Sequence, residues 1–128
     1  MKLLLDTHLL LWLAIGSSKL STRARSVIED TGNSLFFSAA SIWEAAIKRG
    51  LDRDDFTADP RLLRRGLLDN GYEELAIDSR HAVATLDLPP LHKDPFDRIL
   101  VAQAMVEGMT LTTADEAVAR YHGTILRV

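Results

Sequence analysis

The feature that most constrains the fold is an alternation between short, mostly apolar runs and longer segments of helical character. The short runs are "KLLLD" (2–6), "SLFFS" (34–38), "YEELAI" (72–77), "MTLTT" (109–113) and "TILRV" (124–128). Strands that alternate with helices form βαβ units, whose strands run parallel. Runs that are apolar at most positions, and not only at every second one, are typical of strands covered on both faces. The sequence therefore predicts an α/β fold with a parallel sheet.

Helical segments are predicted between these strands because start and stop signals bound them. Gly50 and the pair Asn70-Gly71 each close one such segment. The predicted helices cover residues 7–15, 21–30, 39–50, 59–71, 78–88 and 114–121, with a further long helix that begins at Asp94-Pro95. Residues 51–60 are polar and turn-like, so we expect a mobile loop there.

Length and composition indicate one domain, residues 1–128, because 47% hydrophobic residues suffice for a single core. The absence of cysteine excludes disulfides and thiolate metal sites, and it fits a reducing, cytoplasmic location. The longest apolar run, "LLLWLAI" (9–15), is far shorter than the roughly 20 residues that span a bilayer, so no membrane segment is expected. Asp6 and His8 interrupt the apolar N-terminus, which we interpret as mature structure and not as a signal peptide.

The net charge of −3, with 15 Lys+Arg against 18 Asp+Glu, argues against one class of protein. A polybasic binder would rely on neutralising phosphates with many cationic side chains. An enzyme that acts on nucleic acid remains compatible with this charge, because it can carry acids in its site and bases at the rim.

Four acidic residues occupy similar places in the predicted fold. Asp6 ends the first strand, Glu44 lies on the helix entered from the second, Asp97 opens the helix after "PPLHK", and Asp115 follows the fourth strand. In an open parallel sheet, the ligand crevice lies outside the carboxyl ends of the strands. We therefore expect the four carboxylates to converge at that edge.

Each acid also has a purely structural interpretation as a helix cap or a surface ion pair. The patterns that allow it are Asp6 before a helix, the capping boxes Ser41-x-x-Glu44 and Thr112-x-x-Asp115, the Glu44–Lys48 spacing, and Asp94-Pro95 ahead of Asp97. Convergence of all four acids on one edge is less easily explained in this way.

Clustered carboxylates repel one another, and a divalent cation is the simplest means of neutralising them. Hard oxygen ligands without cysteine or clustered histidine favour Mg²⁺ or Mn²⁺ over Zn²⁺. A partly open site of this kind suits water activation and attack at a phosphodiester.

The motifs "LLLDTH", "SAASIWE", "HKDPFDRILVAQA" and "LTTAD" resemble, in order along the whole chain, those of PIN-domain nucleases and more narrowly of VapC-type toxins of bacterial toxin–antitoxin pairs. The resemblance implies a doubly wound parallel sheet and Mg²⁺- or Mn²⁺-dependent endoribonuclease activity on RNA. It also implies a homodimer that a small VapB-type antitoxin inhibits. It carries the catalytic and metal-binding roles onto Asp6, Glu44, Asp97 and Asp115, with Asp94 as an additional acid and Thr113 as the hydroxyl residue of the last motif.

Basic residues are candidates for substrate contacts. Arg61, Arg64 and Arg65 are spaced to form one stripe on a helix, which is either a solvated face or a surface for the RNA backbone. His92 could help hold the site or a substrate phosphate, although an ordinary surface loop residue is the preferred interpretation.

Two other classes of function stay open. A phosphoryl-transfer or receiver domain could use Asp6 as nucleophile, but a phosphotransferase of that type is expected to have a second acid where His8 stands. A non-catalytic binding module that kept the fold is the other alternative, and acids at all four positions argue against it.

Overall fold

The computed structural model describes residues 1–51 and 56–128 of the chain. Its strands are β1 (Lys2–Leu5), β2 (Ser34–Ser38), β3 (Glu73–Leu75), β4 (Thr110–Thr113) and β5 (Ile125–Arg127). Its helices are α1 (Thr7–Ile15), α2 (Thr22–Glu29), α3 (Ala39–Gly50), α4 (Pro60–Asp69), α5 (Ser79–Ala84), α6 (Pro95–Glu107) and α7 (Glu116–Ala119). One or two helices lie between successive strands, as the apolar runs predict.

The strands form one sheet in the order β3-β2-β1-β4-β5, and every pairing between them is parallel. β1 lies at the centre, where Leu3 is opposite Leu35 of β2 on one side and Thr110 of β4 on the other. The predicted α/β class with a parallel sheet is confirmed.

Both faces of the sheet are covered by helices. Leu3 and Leu5 of β1 pack in one apolar cluster with residues of α1 and α4, whereas Leu4 packs on the opposite face with residues of α6. All three leucines are fully buried. Neighbouring residues of one strand thus enter two different cores, which explains why the strand is apolar at successive positions.

The order of the strands locates the crevice of the fold. From β1 the chain proceeds outward to β2 and β3, then crosses over to β4 on the other side of β1 and continues to β5. The direction of winding therefore reverses between β1 and β4. Ligands of doubly wound sheets bind outside the carboxyl ends of the strands at such a switch point. Asp6 directly follows β1, and Asp115 lies two residues beyond β4.

Several predicted boundaries shift in the structure. The strand expected over 72–77 is limited to Glu73–Leu75, and the helix expected over 78–88 divides into α5 and a 3-10 turn, Thr85–Asp87. The loop expected over 51–60 includes residues 52–55, which lie outside the described residues. Within the ranges that the structure describes, none of the helices combines the length and apolar character needed to cross a membrane.

Candidate metal centre

Asp6 lies at the junction between β1 and α1, with its side chain almost completely buried. Its Oδ1 accepts a hydrogen bond from the backbone N–H of Leu9 at 3.0 Å, so the residue is the N-cap of α1. Its Oδ2 accepts a hydrogen bond from Thr113 Oγ1 at 2.5 Å. Burial raises the pKa of Asp6, and the hydrogen bonds from Thr113 and Leu9 oppose that rise. Asp6 is thus both a helix cap and a buried acid at the switch point.

Thr113 connects the two strands that border the crevice. Its hydroxyl donates to Asp6 Oδ2 and accepts from the backbone N–H of Asp115 at 3.0 Å. Asp115 in turn caps α7, because its Oδ1 accepts from Ala117 N–H at 2.8 Å. One buried hydroxyl therefore sets the relative positions of Asp6 and the loop that carries Asp115.

The start of α6 presents a second pair of acids. Asp94 is the N-cap, with Oδ1 accepting from Phe96 N–H at 2.8 Å, and Pro95 occupies the first turn. Asp97 lies in that same first turn, and its side chain is 15% exposed. Because a cap and a proline begin the helix at this point, they determine where Asp97 projects.

Glu44 lies on α3 and is buried, with 1% of its surface exposed. Its Oε2 accepts from Lys48 Nζ at 2.5 Å. Its Oε1 is buried and makes no hydrogen bond to any residue that the structure describes. Burying this oxygen without a partner lowers the stability of the fold, since no hydrogen bond replaces those that it would make to water.

His92 lies closer to the acids than a surface loop residue would. Its Nδ1 accepts from the backbone N–H of Asp94 at 3.1 Å, so Nε2 is assigned the proton. Nε2 lies 3.0 Å from Asp97 Oδ2 and 3.8 Å from Asp115 Oδ2. Its backbone N–H donates to the hydroxyl of Tyr121 at 3.0 Å. The ring of His92 therefore faces Asp97 and Asp115, and its role in holding the site or a substrate phosphate stays a prediction.

The electrostatics show that these acids form one cluster. The pKa of Asp97 is raised to about 7, chiefly by burial and also by the negative charges of Asp94, Glu44 and Asp6, while His92 opposes the rise. The charge of Asp115 also raises the pKa of Asp6. Each of the four predicted acids is thus coupled by its charge to at least one of the others.

Two of the capping interpretations are wrong. The N-cap of α3 is Ser38, whose hydroxyl accepts from Ala40 N–H at 3.0 Å, so the Ser41-x-x-Glu44 pattern lies inside the helix. Ser41 instead accepts a hydrogen bond from the hydroxyl of Thr7 at 2.9 Å. Thr112 belongs to β4, so the second pattern is not a capping box either, although Asp115 is itself a cap.

The predicted arginine stripe lies on the exposed face of α4. Arg61, Arg64 and Arg65 are exposed there, and Arg64 Nε lies 3.3 Å from Glu74 Oε1 of β3. The opposite face of α4 inserts Leu63 and Leu67 into the core. A role for the three arginines in RNA binding stays a prediction.

Sequence reasoning assigned Lys48 only to a surface pair with Glu44, and it assigned no role to Tyr121. Lys48 belongs to the acidic cluster, because its Nζ also lies 3.6 Å from Asp94 Oδ2. The Tyr121 hydroxyl holds the loop before α6 through His92 N–H and Arg98 Nη1. The spacing Glu44–Lys48 was the available signal for the lysine, but helical spacing does not tell which face of a helix points inward.

The side chains present fit a divalent cation. Asp97, Asp115 and His92 each offer a ligand atom within 4.8 Å of those of the other two. The unpartnered Oε1 of Glu44 is an additional hard oxygen donor. In the tautomer assigned above, His92 Nε2 carries a proton, so carboxylates are the available ligands. An all-oxygen set of this kind suits Mg²⁺ or Mn²⁺.

The comparisons with solved structures agree with this fold. The VapBC2 complex from Rickettsia felis, bound to a promoter DNA fragment, matches with a TM-score of 0.73 at 15% identity, over 99% of this chain and 98% of that chain. A toxin–antitoxin complex from Klebsiella pneumoniae matches with a TM-score of 0.64 at 17% identity, over 96% and 94% of the two chains. DNA-bound VapBC from Salmonella typhimurium matches with a TM-score of 0.61 at 16% identity, over 99% and 96%.

Comparison with curated protein sequences finds no significant match. The family model of the PIN domain, by contrast, matches residues 3–123. That range contains both strands of the switch point and every acid of the cluster. The family inferred from the four motifs is confirmed: the chain belongs to the PIN-domain family.

Proposed function

We propose that this protein is a metal-dependent endoribonuclease that acts as the VapC-type toxin of a toxin–antitoxin pair. The observation that carries the proposal is the convergence of Asp6, Glu44, Asp97 and Asp115 at the switch point of a PIN-domain sheet. The unpartnered Oε1 of buried Glu44 supports a cation there, since nothing else in the described residues satisfies it. The fold of VapBC structures supports the toxin assignment.

The residues of the cluster have different roles in holding the ion. Asp97 and Asp115 would hold the ion with oxygens that lie within 4.8 Å of each other, and buried Asp6 would support them. When bound, Mg²⁺ or Mn²⁺ supplies a Lewis acid that lowers the pKa of water and stabilises charge on the phosphodiester. The Thr113 hydroxyl holds Asp6 by its hydrogen bond to Oδ2, and His92 Nε2 contacts Asp97 Oδ2 at 3.0 Å. The capping of Asp94 and Asp115 on rigid helices favours a pre-organised site.

The other two classes of function fit the geometry less well. A phosphotransferase that uses Asp6 as nucleophile needs an exposed carboxylate, yet Asp6 is 4% exposed and both of its oxygens accept hydrogen bonds. A binding module has no need of a self-repelling acidic cluster, because the repulsion lowers stability and a module without catalysis has no use for it.

The test of the proposed activity is cleavage of a total-RNA pool by the purified protein, with Mg²⁺ or with EDTA, followed by sequencing of the new ends. Discrete cuts in Mg²⁺ that are absent in EDTA are expected. An RNA pool left intact in Mg²⁺ would refute the nuclease, and a parallel reaction with single-stranded DNA reports on the preference for RNA.

We further propose that the protein is a cytoplasmic homodimer and that an antitoxin encoded beside it covers an apolar groove between α1 and α4. The groove has a volume of about 680 Å³ and is lined by Leu10, Leu13, Ile15, Leu62 and Leu67, among others. Ile15 and Leu62 are 63% and 65% exposed, which is unusual for such large apolar side chains in one depression. The solved toxin–antitoxin complexes of this fold support an antitoxin as the partner, and the exposed apolar side chains support this groove as its site.

Leu62→Glu is expected to weaken antitoxin binding at least tenfold, since roughly 1.4 kcal/mol corresponds to a factor of ten and a charge buried at an interface costs more than that. Isothermal titration with the product of the adjacent gene measures the effect. Leu86→Glu, at an 83% exposed site on the 3-10 turn, is the matched control and should bind as wild type does. If Leu62→Glu binds the product of the adjacent gene as tightly as wild type does, the groove is not part of the interface.

Replacing Arg61, Arg64 and Arg65 with Ala is expected to flatten the salt dependence of RNA binding. Each lost phosphate contact lowers the slope of log K against log salt by about 0.7 for a single strand, so a loss of about 2 is expected if all three contribute. Binding is best measured in an Asp97→Asn background, where no cleavage interferes. The control is Arg23→Ala with Arg25→Ala on α2. If the slope of log K against log salt is unchanged in the triple variant, the three arginines form only a solvated face and do not contact RNA.

A further inference from the structure

Lys48 occupies an enclosed position within the acidic cluster. Its Nζ lies 2.5 Å from Glu44 Oε2 and 3.6 Å from Asp94 Oδ2. The same atom lies 4.9 Å from the centre of the Phe56 ring and 5.8 Å from that of Phe96. The ammonium group thus has carboxylates from α3 and α6 and two aromatic rings around it, a setting that favours a cation.

This arrangement differs from an ordinary surface ion pair. The side chain of Lys48 is 15% exposed and that of Glu44 is 2% exposed, whereas the salt bridge of Arg120 with Glu116, at the same helical spacing, joins side chains that are 66% and 68% exposed. Burial of two charges is costly, so a buried pair persists only when each charge is well matched. Among the described residues, Lys48 is matched by a carboxylate from its own helix and by one from the N-cap of α6.

We propose that the Lys48 ammonium is the resident cation of this site: it neutralises Glu44 and Asp94 where a second divalent ion would otherwise bind, so that the site takes one divalent ion per chain. The inference rests on the proposed metal site and deepens it by giving its stoichiometry. In two-metal nuclease sites the ions lie about 3.5–4 Å apart and share carboxylates. Here one oxygen of Glu44 is held by Lys48, while Oε1 has no hydrogen-bond partner among the described residues, and Asp97 and Asp115 offer oxygens within 4.8 Å of each other for one ion.

The experiment counts Mn²⁺ on the intact protein. Wild type and variants are dialysed against Mn²⁺ at millimolar concentration, and bound metal per chain is measured by mass spectrometry of the element. Wild type, Lys48→Arg and Arg49→Met are expected to bind one ion, because each keeps a cation at position 48. Arg49→Met is the matched control, since this neighbouring cation pairs with Asp59 outside the cluster. Lys48→Met is expected to bind two.

Thermal melting gives a second measurement that does not depend on activity. In EDTA, Lys48→Met should melt below wild type, because Glu44 and Asp94 lose their counter-charge, and Mn²⁺ should raise its melting temperature more than that of wild type. A Lys48→Met variant that folds only with Mn²⁺ supports the proposal equally.

The outcomes that overturn the proposal are distinct. Two ions on wild type, or one ion on folded Lys48→Met, overturn the role of Lys48 and leave the nuclease proposal intact. No ion on wild type overturns the metal site as well. Cleavage of RNA, measured on the same wild-type preparation, reports separately on the proposed function.

Discussion

Asp97→Asn is expected to abolish Mg²⁺-dependent cleavage of RNA, with a loss in rate of about a thousandfold or more. The physical reason is that an amide is a poor ligand where a carboxylate holds the ion, and the Lewis acid contributes several kcal/mol to such reactions. About 4 kcal/mol corresponds to a thousandfold change in rate. Initial rates on an RNA substrate identified by end mapping, at saturating Mg²⁺, measure the effect. Asp6→Asn is expected to behave in the same way.

The control for this experiment is Asp87→Asn, which changes an exposed acid on the 3-10 turn. It should cleave at the wild-type rate, and all three variants should keep the circular dichroism of the wild type. Wild-type cleavage by purified Asp97→Asn would show that this carboxylate does not hold a catalytic ion.

Asp97→Asn is also expected to stabilise the metal-free protein at neutral and higher pH. Burial and the neighbouring carboxylates raise the pKa of Asp97 from its ordinary value of 3.8 to about 7. Between these values the unfolded chain releases the proton while the folded protein keeps it, so the free energy of unfolding of wild type falls as pH rises. Each pKa unit corresponds to roughly 1.4 kcal/mol. In EDTA, the free energy of unfolding of Asp97→Asn should therefore exceed that of wild type by a few kcal/mol at pH 8, and by much less at pH 4. Thermal melting at the two pH values measures the difference.

Mg²⁺ should narrow this difference in stability between wild type and Asp97→Asn. An ion that binds the folded site and not the unfolded chain stabilises wild type by about 2.7 kcal/mol at one hundred times its dissociation constant. Asp97→Asn should gain much less, because one ligand is missing. Glu116→Gln, an exposed acid beside Asp115, is the control and should respond to Mg²⁺ as wild type does. If the acids were separate helix caps, Asp97→Asn would be neutral or destabilising in EDTA, and Mg²⁺ would have no effect on either protein.

The sheet and the place of the acids could be predicted from the sequence because both depend on local patterns. Successive apolar residues such as Leu3 and Leu4 indicate a strand covered on both faces, which in turn requires parallel strands separated by helices. The carboxyl ends of parallel strands meet at one edge, so an acid after each strand is carried to the same place. Asp6 and Asp115 could thus be brought together before any coordinates were known.

The partners of these acids could not be predicted in the same way. A pair four residues apart looks the same on an inward and an outward helix face, so the spacing of Glu44 and Lys48 leaves open whether the lysine lies at the surface or inside the cluster. In the structure Glu44 is buried on α3 and Lys48 pairs with it there. His92 is brought to Asp97 by Tyr121, which lies 29 residues further along the chain. Contacts of that kind depend on tertiary packing and leave no periodic signal in the sequence.

A crystal structure of the protein soaked in Mn²⁺ shows directly whether Asp6, Asp97 and Asp115 share a divalent cation. The anomalous difference map is predicted to show a peak within about 2.0–2.6 Å of carboxylate oxygens of Asp97 and Asp115, close to Asp6, with no peak at the Lys48 ammonium. A map without a peak at these acids, from crystals soaked at millimolar Mn²⁺, would contradict the account.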